Sequence, residues 1–166
     1  NLGMSAAIRT ARWTRRLLTA GAVLAAVTAI IPGGTLWAPP LGPPLRVAEQ
    51  FRAPPNPYAA GHRGLDVAAL TGMPVLAPAS GVVTFAGTVV DRPLLSIRVD
   101  EHTIMSLEPV TTELLEGARV SRGVEVGTVA AGGHCAARCL HLGVRVEGEY
   151  VNPLRFFAGR PKLLPW

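Results

Sequence analysis

The sequence predicts an all-β fold, an antiparallel β-sandwich or a partly open barrel of short strands with one short C-terminal helix. Residues 81–87, 94–100 and 141–151 are rich in β-branched residues or alternate apolar with polar side chains, which is the pattern of half-buried strands. Glycines divide residues 116–130 into two further short strands. Short strands that are not separated by long helices indicate sheets packed on each other or closed on themselves.

The N-terminal 38 residues have the features of an export segment. An uncharged apolar run over residues 17–31 follows four arginines and ends at Pro32. Basic residues followed by about fifteen apolar ones are typical of a secretory signal peptide, and the run is shorter than the roughly twenty residues of a membrane span. An uncleaved membrane anchor over residues 17–38 is the alternative. We therefore expect residues 1–38 to be a signal peptide or an N-terminal membrane anchor, and the protein to be exported.

Most of the net charge lies in this segment. The sequence has 16 basic and 11 acidic residues and a net charge of +5, but from residue 39 onward 12 basic residues accompany 11 acidic ones. A nearly neutral domain lacks the basic surface that binds a polyanion. The composition therefore argues against nucleic acid as a partner and leaves membrane contact to the N-terminal segment.

Residues 39–57 form a proline-rich linker that contains the first strand. Seven prolines lie in this segment, and proline fixes φ and removes a backbone donor, which favours extended structure. Residues 45–51 can pair as a strand, with Val47 and Phe51 as the expected inward side chains. The folded domain is expected to cover residues 45–160.

The later elements follow from alternation and from one capping signal. Leu95, Ile97 and Val99 share one face of the strand predicted over residues 94–100. The only segment with a helix-start signal follows Asn152, a good N-cap residue, and begins with Pro153, which suits a first helical turn.

His62 and Asp66 lie four residues apart in the glycine-containing segment GHRGLD. Because this segment has no helix signal, we expect the pair where a loop enters a strand. Imidazole and carboxylate are zinc ligands, and a zinc site needs a third protein ligand, for which the sequence offers His141. The alternative is that His62 bonds to Asp66 and caps a turn, while His141 is an ordinary strand residue.

Four stretches together resemble the lysostaphin-type zinc endopeptidases, also called LytM-like domains, over nearly all of residues 45–157. They are GHRGLD, GMPVLAPASGVVTFAG, GARVSRGVEVGTV and CLHLGV. The family pattern is H-x-x-x-D, then Y-x-H, then H-x-H, and its first histidine, its aspartate and its last histidine bind zinc. The resemblance implies that His62, Asp66 and His141 hold Zn²⁺.

Two histidines that act in catalysis in the family have no counterpart in this sequence. The H-x-H triplet reads CLH, with Cys139 in place of the first histidine, and the Y-x-H triplet aligns with Met105 and Leu107. Residues i and i+2 of a strand share a face, so Cys139 is expected beside His141. The resemblance therefore supplies no residues for the positioned proton transfer that these histidines perform in the family.

Glu108 and His134 are the candidate replacements. Glu108 follows Leu107 and could act as general base if a bulge turned it inward, whereas ordinary alternation from Leu107 turns it away. His134 lies in a loop close to His141 in sequence and could bend over the site, or it could be a solvent-facing turn residue.

Cys135 and Cys139 have two interpretations. Two cysteines four residues apart in an exported chain are expected to form a disulfide. The alternative is that Cys139 is a fourth zinc ligand, which would close the site to water.

The resemblance implies a peptidoglycan endopeptidase that hydrolyses peptide cross-links of the bacterial cell wall, at the wall or on the outer face of the membrane. The alternative function is a degenerate LytM-like module that binds cell-wall peptides or regulates another cell-wall hydrolase.

Overall fold

A computed structural model of the chain describes residues 36–56, 58–134 and 138–158. The four arginines and the apolar run that predict a signal peptide or an anchor lie outside these residues. Within the described ranges, no helix has the length and apolarity that crossing a membrane requires.

The described residues form short strands and one helix of four residues, α1. In chain order these are β1 (Val47–Glu49), β2 (Gly64–Ala68), β3 (Pro74–Leu76), β4 (Gly81–Val89), β5 (Arg92–Arg98), β6 (Thr103–Glu108), β7 (Val110–Thr111), β8 (Arg119–Val120), β9 (Glu125–Val129), β10 (Cys139–Val146), β11 (Glu149–Tyr150) and α1 (Leu154–Phe157). The predicted all-β class with one short C-terminal helix is confirmed. The Asn152 side chain accepts a hydrogen bond from the Leu154 backbone N–H at 3.0 Å, as a capping residue does.

The strands pair in two antiparallel sheets. The larger sheet has the order β1-β2-β10-β6-β5-β4-β8, with β11 also paired to β10, and the smaller has the order β3-β9-β7. The predicted strands over residues 81–87, 94–100 and 141–151 correspond to β4, β5 and β10, and residues 116–130 contain β8 and β9.

One apolar cluster joins the two sheets. On β10 the core side chains are Leu140, Leu142 and Val144, each fully buried, and Val75 and Val129 join them from the smaller sheet. Because side chains alternate along a strand, the intervening positions of β10 face the other way. The core therefore fixes which residues of β10 lie on the outer face of the large sheet.

Three polar residues form a row across this outer face. His141 on β10 lies opposite Asp66 on β2 and opposite Glu108 on β6. Directly paired residues of antiparallel strands project to the same side, with their Cβ atoms about 4.5 to 5.5 Å apart. The register alone thus brings one imidazole and two carboxylates together.

Residues 37–40, which precede β1, also pack on the domain. Trp37 is 8% exposed and stacks on Phe156 of α1 with ring centroids 4.3 Å apart. The Trp37 backbone N–H bonds to the Phe156 carbonyl at 2.9 Å, and the Leu76 N–H bonds to the Pro40 carbonyl at 2.7 Å. Burial of a large aromatic ring ties residues 37–40 to the C-terminal helix.

We predict that replacing Trp37 by alanine lowers the free energy of unfolding by about 3 to 5 kcal/mol, because it leaves a cavity against Phe156. Chemical denaturation measures this change. The matched control is Leu36→Ala, one residue earlier and 47% exposed, which should cost less than about 0.5 kcal/mol. Equal small losses in both variants would show that residues 36–40 do not stabilise the domain.

Candidate metal centre

One ring nitrogen of His62 bonds to a backbone carbonyl, and the other faces a cluster of polar side chains. Its backbone pairs with Arg52 through N–H to carbonyl bonds of 2.9 Å in both directions. Nδ1 lies 2.8 Å from the Gln50 carbonyl, which can only accept, so Nδ1 donates there. Nε2 then faces Asp66 Oδ1 at 3.0 Å. Metal-bound histidines are commonly oriented by such a bond from the second nitrogen.

His141 reaches the same carboxylate oxygen from the neighbouring strand. Its Nδ1 lies 2.7 Å from Asp66 Oδ1 and 3.2 Å from His62 Nε2. The ring lies against Gly64 of β2, where a Cβ atom would overlap its Nε2 and Cε1 atoms. Gly64, the second glycine of the segment GHRGLD, is therefore required for this ring position.

Asp66 is the centre of the cluster. The residue is 2% exposed. Burial raises the pKa of Asp66, but hydrogen bonds and charge from His141 and His134 outweigh burial and lower that pKa to about 2. The carboxylate is therefore ionised at neutral pH and available as a ligand.

His134 joins the cluster from the loop before β10. Its Nε2 lies 2.8 Å from Asp66 Oδ2, and its side chain is 48% exposed. Gly132 and Gly133 precede it with φ angles of 112° and 74°, which glycine adopts far more readily than other residues. His134 is thus half-exposed and at the same time within hydrogen-bond distance of Asp66.

The four side chains form a group that could hold a metal ion. Within the described ranges, the group consists of His62, Asp66, His134 and His141, with all four ligand atoms within 4.8 Å of one another. Imidazole and carboxylate are the nitrogen and oxygen ligands that zinc takes. Cys139 is not in this group, although it lies on the same strand face as His141.

Leu107 and Glu108 lie on the faces of β6 opposite to those that the sequence predicted for them. Leu107 is fully buried and lies opposite Leu142 and Leu95 in the core. Glu108 lies opposite His141 on the outer face, without a bulge between the two strands. The prediction was wrong because it took Leu107 as the outward residue of β6. The burial of Thr103, Met105 and Leu107 at alternate positions fixes the opposite parity.

Glu108 has a charge partner that the sequence did not single out. Arg92 Nε at the start of β5 lies 3.0 Å from Glu108 Oε2. The Glu108 side chain is 13% exposed, so the carboxylate lies at the edge of the polar row and not in bulk solvent.

A cleft of about 380 Å³ opens beside the cluster. It is lined by Glu49, Arg52, Gly61, His62, Arg63, His134 and His141. The volume falls within the range of about 300 to 1,000 Å³ that is typical of small-molecule pockets.

Of the two cysteines, Cys139 is buried at the start of β10, and Cys135 lies outside the described residues. Their disulfide stays a prediction.

His102 is an exposed residue of the β5–β6 turn and contacts Glu147 at 2.8 Å, away from the cluster.

The sequence matches Peptidase family M23 over residues 60–153, more than half of the chain. An uncharacterized protein of Mycobacterium tuberculosis is 38% identical over 128 residues, which are 74% of this chain and 51% of that protein. The murein hydrolase activator NlpD of Escherichia coli is 30% identical over 103 residues, 60% of this chain and 27% of NlpD. The chain thus spans about half of the mycobacterial relative and a smaller part of NlpD.

Solved structures show the same fold. A mutant catalytic domain of the prophage-encoded M23 protein EnpA from Enterococcus faecalis superposes with a TM-score of 0.61 at 25% identity, covering 74% of this chain and 98% of that domain. A zinc-containing peptidase from Vibrio cholerae gives a TM-score of 0.64 at 20% identity, with 77% of this chain and 41% of that one covered. From its sequence, its fold and its cluster of histidines around Asp66, the chain belongs to peptidase family M23.

Proposed function

We propose that this chain is an exported zinc endopeptidase that hydrolyses peptide cross-links of bacterial peptidoglycan. The observation that carries the proposal is that His62, Asp66 and His141 converge as a group able to hold a metal ion, with two side chains able to transfer a proton, Glu108 and His134, beside them. Support comes from the shielded Glu108 carboxylate opposite His141 and from the loop imidazole of His134, 2.8 Å from Asp66.

The donor set fits zinc. His62 Nε2 and His141 Nδ1 face each other at 3.2 Å and share one oxygen of Asp66. Ring nitrogens that converge on one carboxylate in this way are best satisfied by a cation at their centre. A bound zinc ion supplies Lewis acidity, which polarises a peptide carbonyl and makes water more acidic.

The chain's own residues divide the remaining work. His62, Asp66 and His141 are proposed to hold the metal, since His62 and Asp66 are buried and all three are oriented by other parts of the domain. Glu108 is proposed to accept a proton from the attacking water. His134, which is half-exposed, is proposed to donate a proton to the leaving amine at the mouth of the cleft.

We predict that purified protein carries close to one equivalent of zinc, and that His62→Ala and His141→Ala each lower this content strongly, because each removes a ligand. Metal analysis after dialysis measures the content. His102→Ala is the matched control, since His102 contacts Glu147 on the surface. Unchanged zinc in both ligand variants would contradict the site.

We predict that Glu108→Gln and His134→Ala each lower the kcat for cross-linked peptidoglycan by about 10²-fold or more while zinc content stays near wild type, because each removes a proton-transfer group. Release of peptide fragments measures the rate. If His134→Ala loses zinc, His134 is a fourth ligand and the resting site is closed to water. Rates equal to wild type in both variants would refute the assigned roles.

A regulatory or binding role is the second candidate. It is favoured by Cys139 in place of a family histidine and by the similarity to a murein hydrolase activator. A zinc-loaded sample that binds peptidoglycan and cleaves none of its cross-links would favour this role over the enzyme.

Export and the disulfide are proposed together. The apolar run after four arginines supports export, and an oxidising compartment supports pairing of Cys135 with Cys139. We predict that protein recovered from outside the cytoplasm shows no reactive thiol until a reductant is added, as a thiol titration would measure. Two reactive thiols in the untreated sample would rule out the disulfide.

A further inference from the structure

We propose that Arg92 is the positioning residue of this site, holding Glu108 beside the metal group and supporting the loop that carries His134. The inference rests on the proposed peptidase function, because Arg92 acts through the two residues assigned there to proton transfer. No family motif in the sequence singles out Arg92, which begins β5 after the turn from β4.

The first contact is with the carboxylate. Arg92 Nε lies 3.0 Å from Glu108 Oε2, and the two side chains are 31% and 13% exposed. The Nε–H is buried and makes no well-aligned hydrogen bond, so the contact is an ion pair held by proximity and charge. The Glu108 carboxylate correspondingly raises the pKa of Arg92. A partly shielded pair of this kind loses less to solvent screening than a surface pair.

The second contact is with the loop before β10. A Cβ atom at Gly132 would lie 3.0 Å from the Asp91 carbonyl oxygen and 3.3 Å from Arg92 Cβ. A Cβ atom at Gly133 would lie 3.6 Å from Arg92 Cδ and 3.7 Å from Pro109 Cδ. The two glycines therefore approach the β4–β5 turn and the aliphatic part of Arg92 closely, and His134 is the next residue.

The guanidinium is itself fixed by a second carboxylate. Arg92 Nη1 lies 3.1 Å from Asp91 Oδ1 in the same turn. The Arg92 side chain thus pairs with Glu108 through its charged end, and its stem lies beside the glycines that precede His134. Glu108 and His134 come from segments that are far apart in sequence, so a common support keeps their separation constant.

The charged end is tested with Arg92→Met, which removes the guanidinium and keeps an aliphatic stem. We expect this variant to lower kcat on cross-linked peptidoglycan about tenfold or more, with KM within about twofold. In a Glu108→Gln background the same change should alter kcat less than about twofold, because the partner is already neutral. Arg92→Lys, which keeps the charge, should recover part of the loss. Arg119→Met on strand β8 is the matched control.

The stem is tested with Arg92→Ala. We expect Arg92→Ala to have a lower kcat than Arg92→Met. This difference between the two variants should disappear in a His134→Ala background, because the stem acts through that loop. Zinc content and melting temperature are measured for every variant. If Arg92→Met does not fold, Arg92→Gln takes its place in the comparison.

The inference is overturned if Arg92→Met has the kcat of the wild type. It is also overturned if Arg92→Met lowers kcat by the same factor in the Glu108→Gln background as in the wild type. A readout that does not need activity separates its failure from that of the proposed function. The Arg92 Nε–H resonance in ¹⁵N NMR of the zinc-loaded protein should change its chemical shift in Glu108→Gln, because the negative charge 3.0 Å from Nε is removed. An inactive wild type in which Glu108→Gln causes this change refutes the peptidase and leaves the contact supported, whereas an unchanged resonance in Glu108→Gln refutes the contact.

Discussion

The structure of the site depends on one buried carboxylate. Asp66 is 2% exposed and lies within 3.0 Å of three imidazole nitrogens. A buried charge is tolerated only when it is paired and hydrogen-bonded, and removing its partners leaves a strongly unfavourable group. The loop that contains His62, the loop that contains His134 and strand β10 must therefore converge on the same point of β2.

The hydrophobic core determines where that convergence takes place. Leu140, Leu142 and Val144 can be buried only in one parity of β10, and in that parity His141 lies opposite Asp66 and Glu108. A slip of one residue would move His141 into the core and the leucines to the surface. Burying the apolar side chains of β10 contributes a large packing free energy. That free energy also fixes the positions of His141, Asp66 and Glu108, whose own interactions would not be enough to align the strands.

The same register places polar side chains near His141 that differ from those of the family pattern. Cys139 stands where the pattern has a histidine, yet the adjacent strand offers Glu108 on the face of the metal ligands. The glycine pair before His134 lets a loop bring a further imidazole to Asp66 from outside the sheet. Loops tolerate changes of sequence more readily than the strands they connect, so polar groups on them can differ while the side chains on the sheet stay in place.

The sequence by itself determined the fold class and most of the strands, because alternation is a local property of the chain. It indicated His62, Asp66 and His141 as candidate ligands through the resemblance to the lysostaphin-type family, since their spacing alone left a turn-capping role for His62 open. It did not determine the parity of β6, since Leu107 and Glu108 are adjacent and an alignment shifted by one residue exchanges their faces. It also left open whether His134 faces solvent, and it did not reveal the packing of Trp37 on Phe156 or the contact of Arg92 with Glu108. These contacts join residues that are distant in the chain, so only the packing of one sheet on the other, and of the loops on the outer face, decided them.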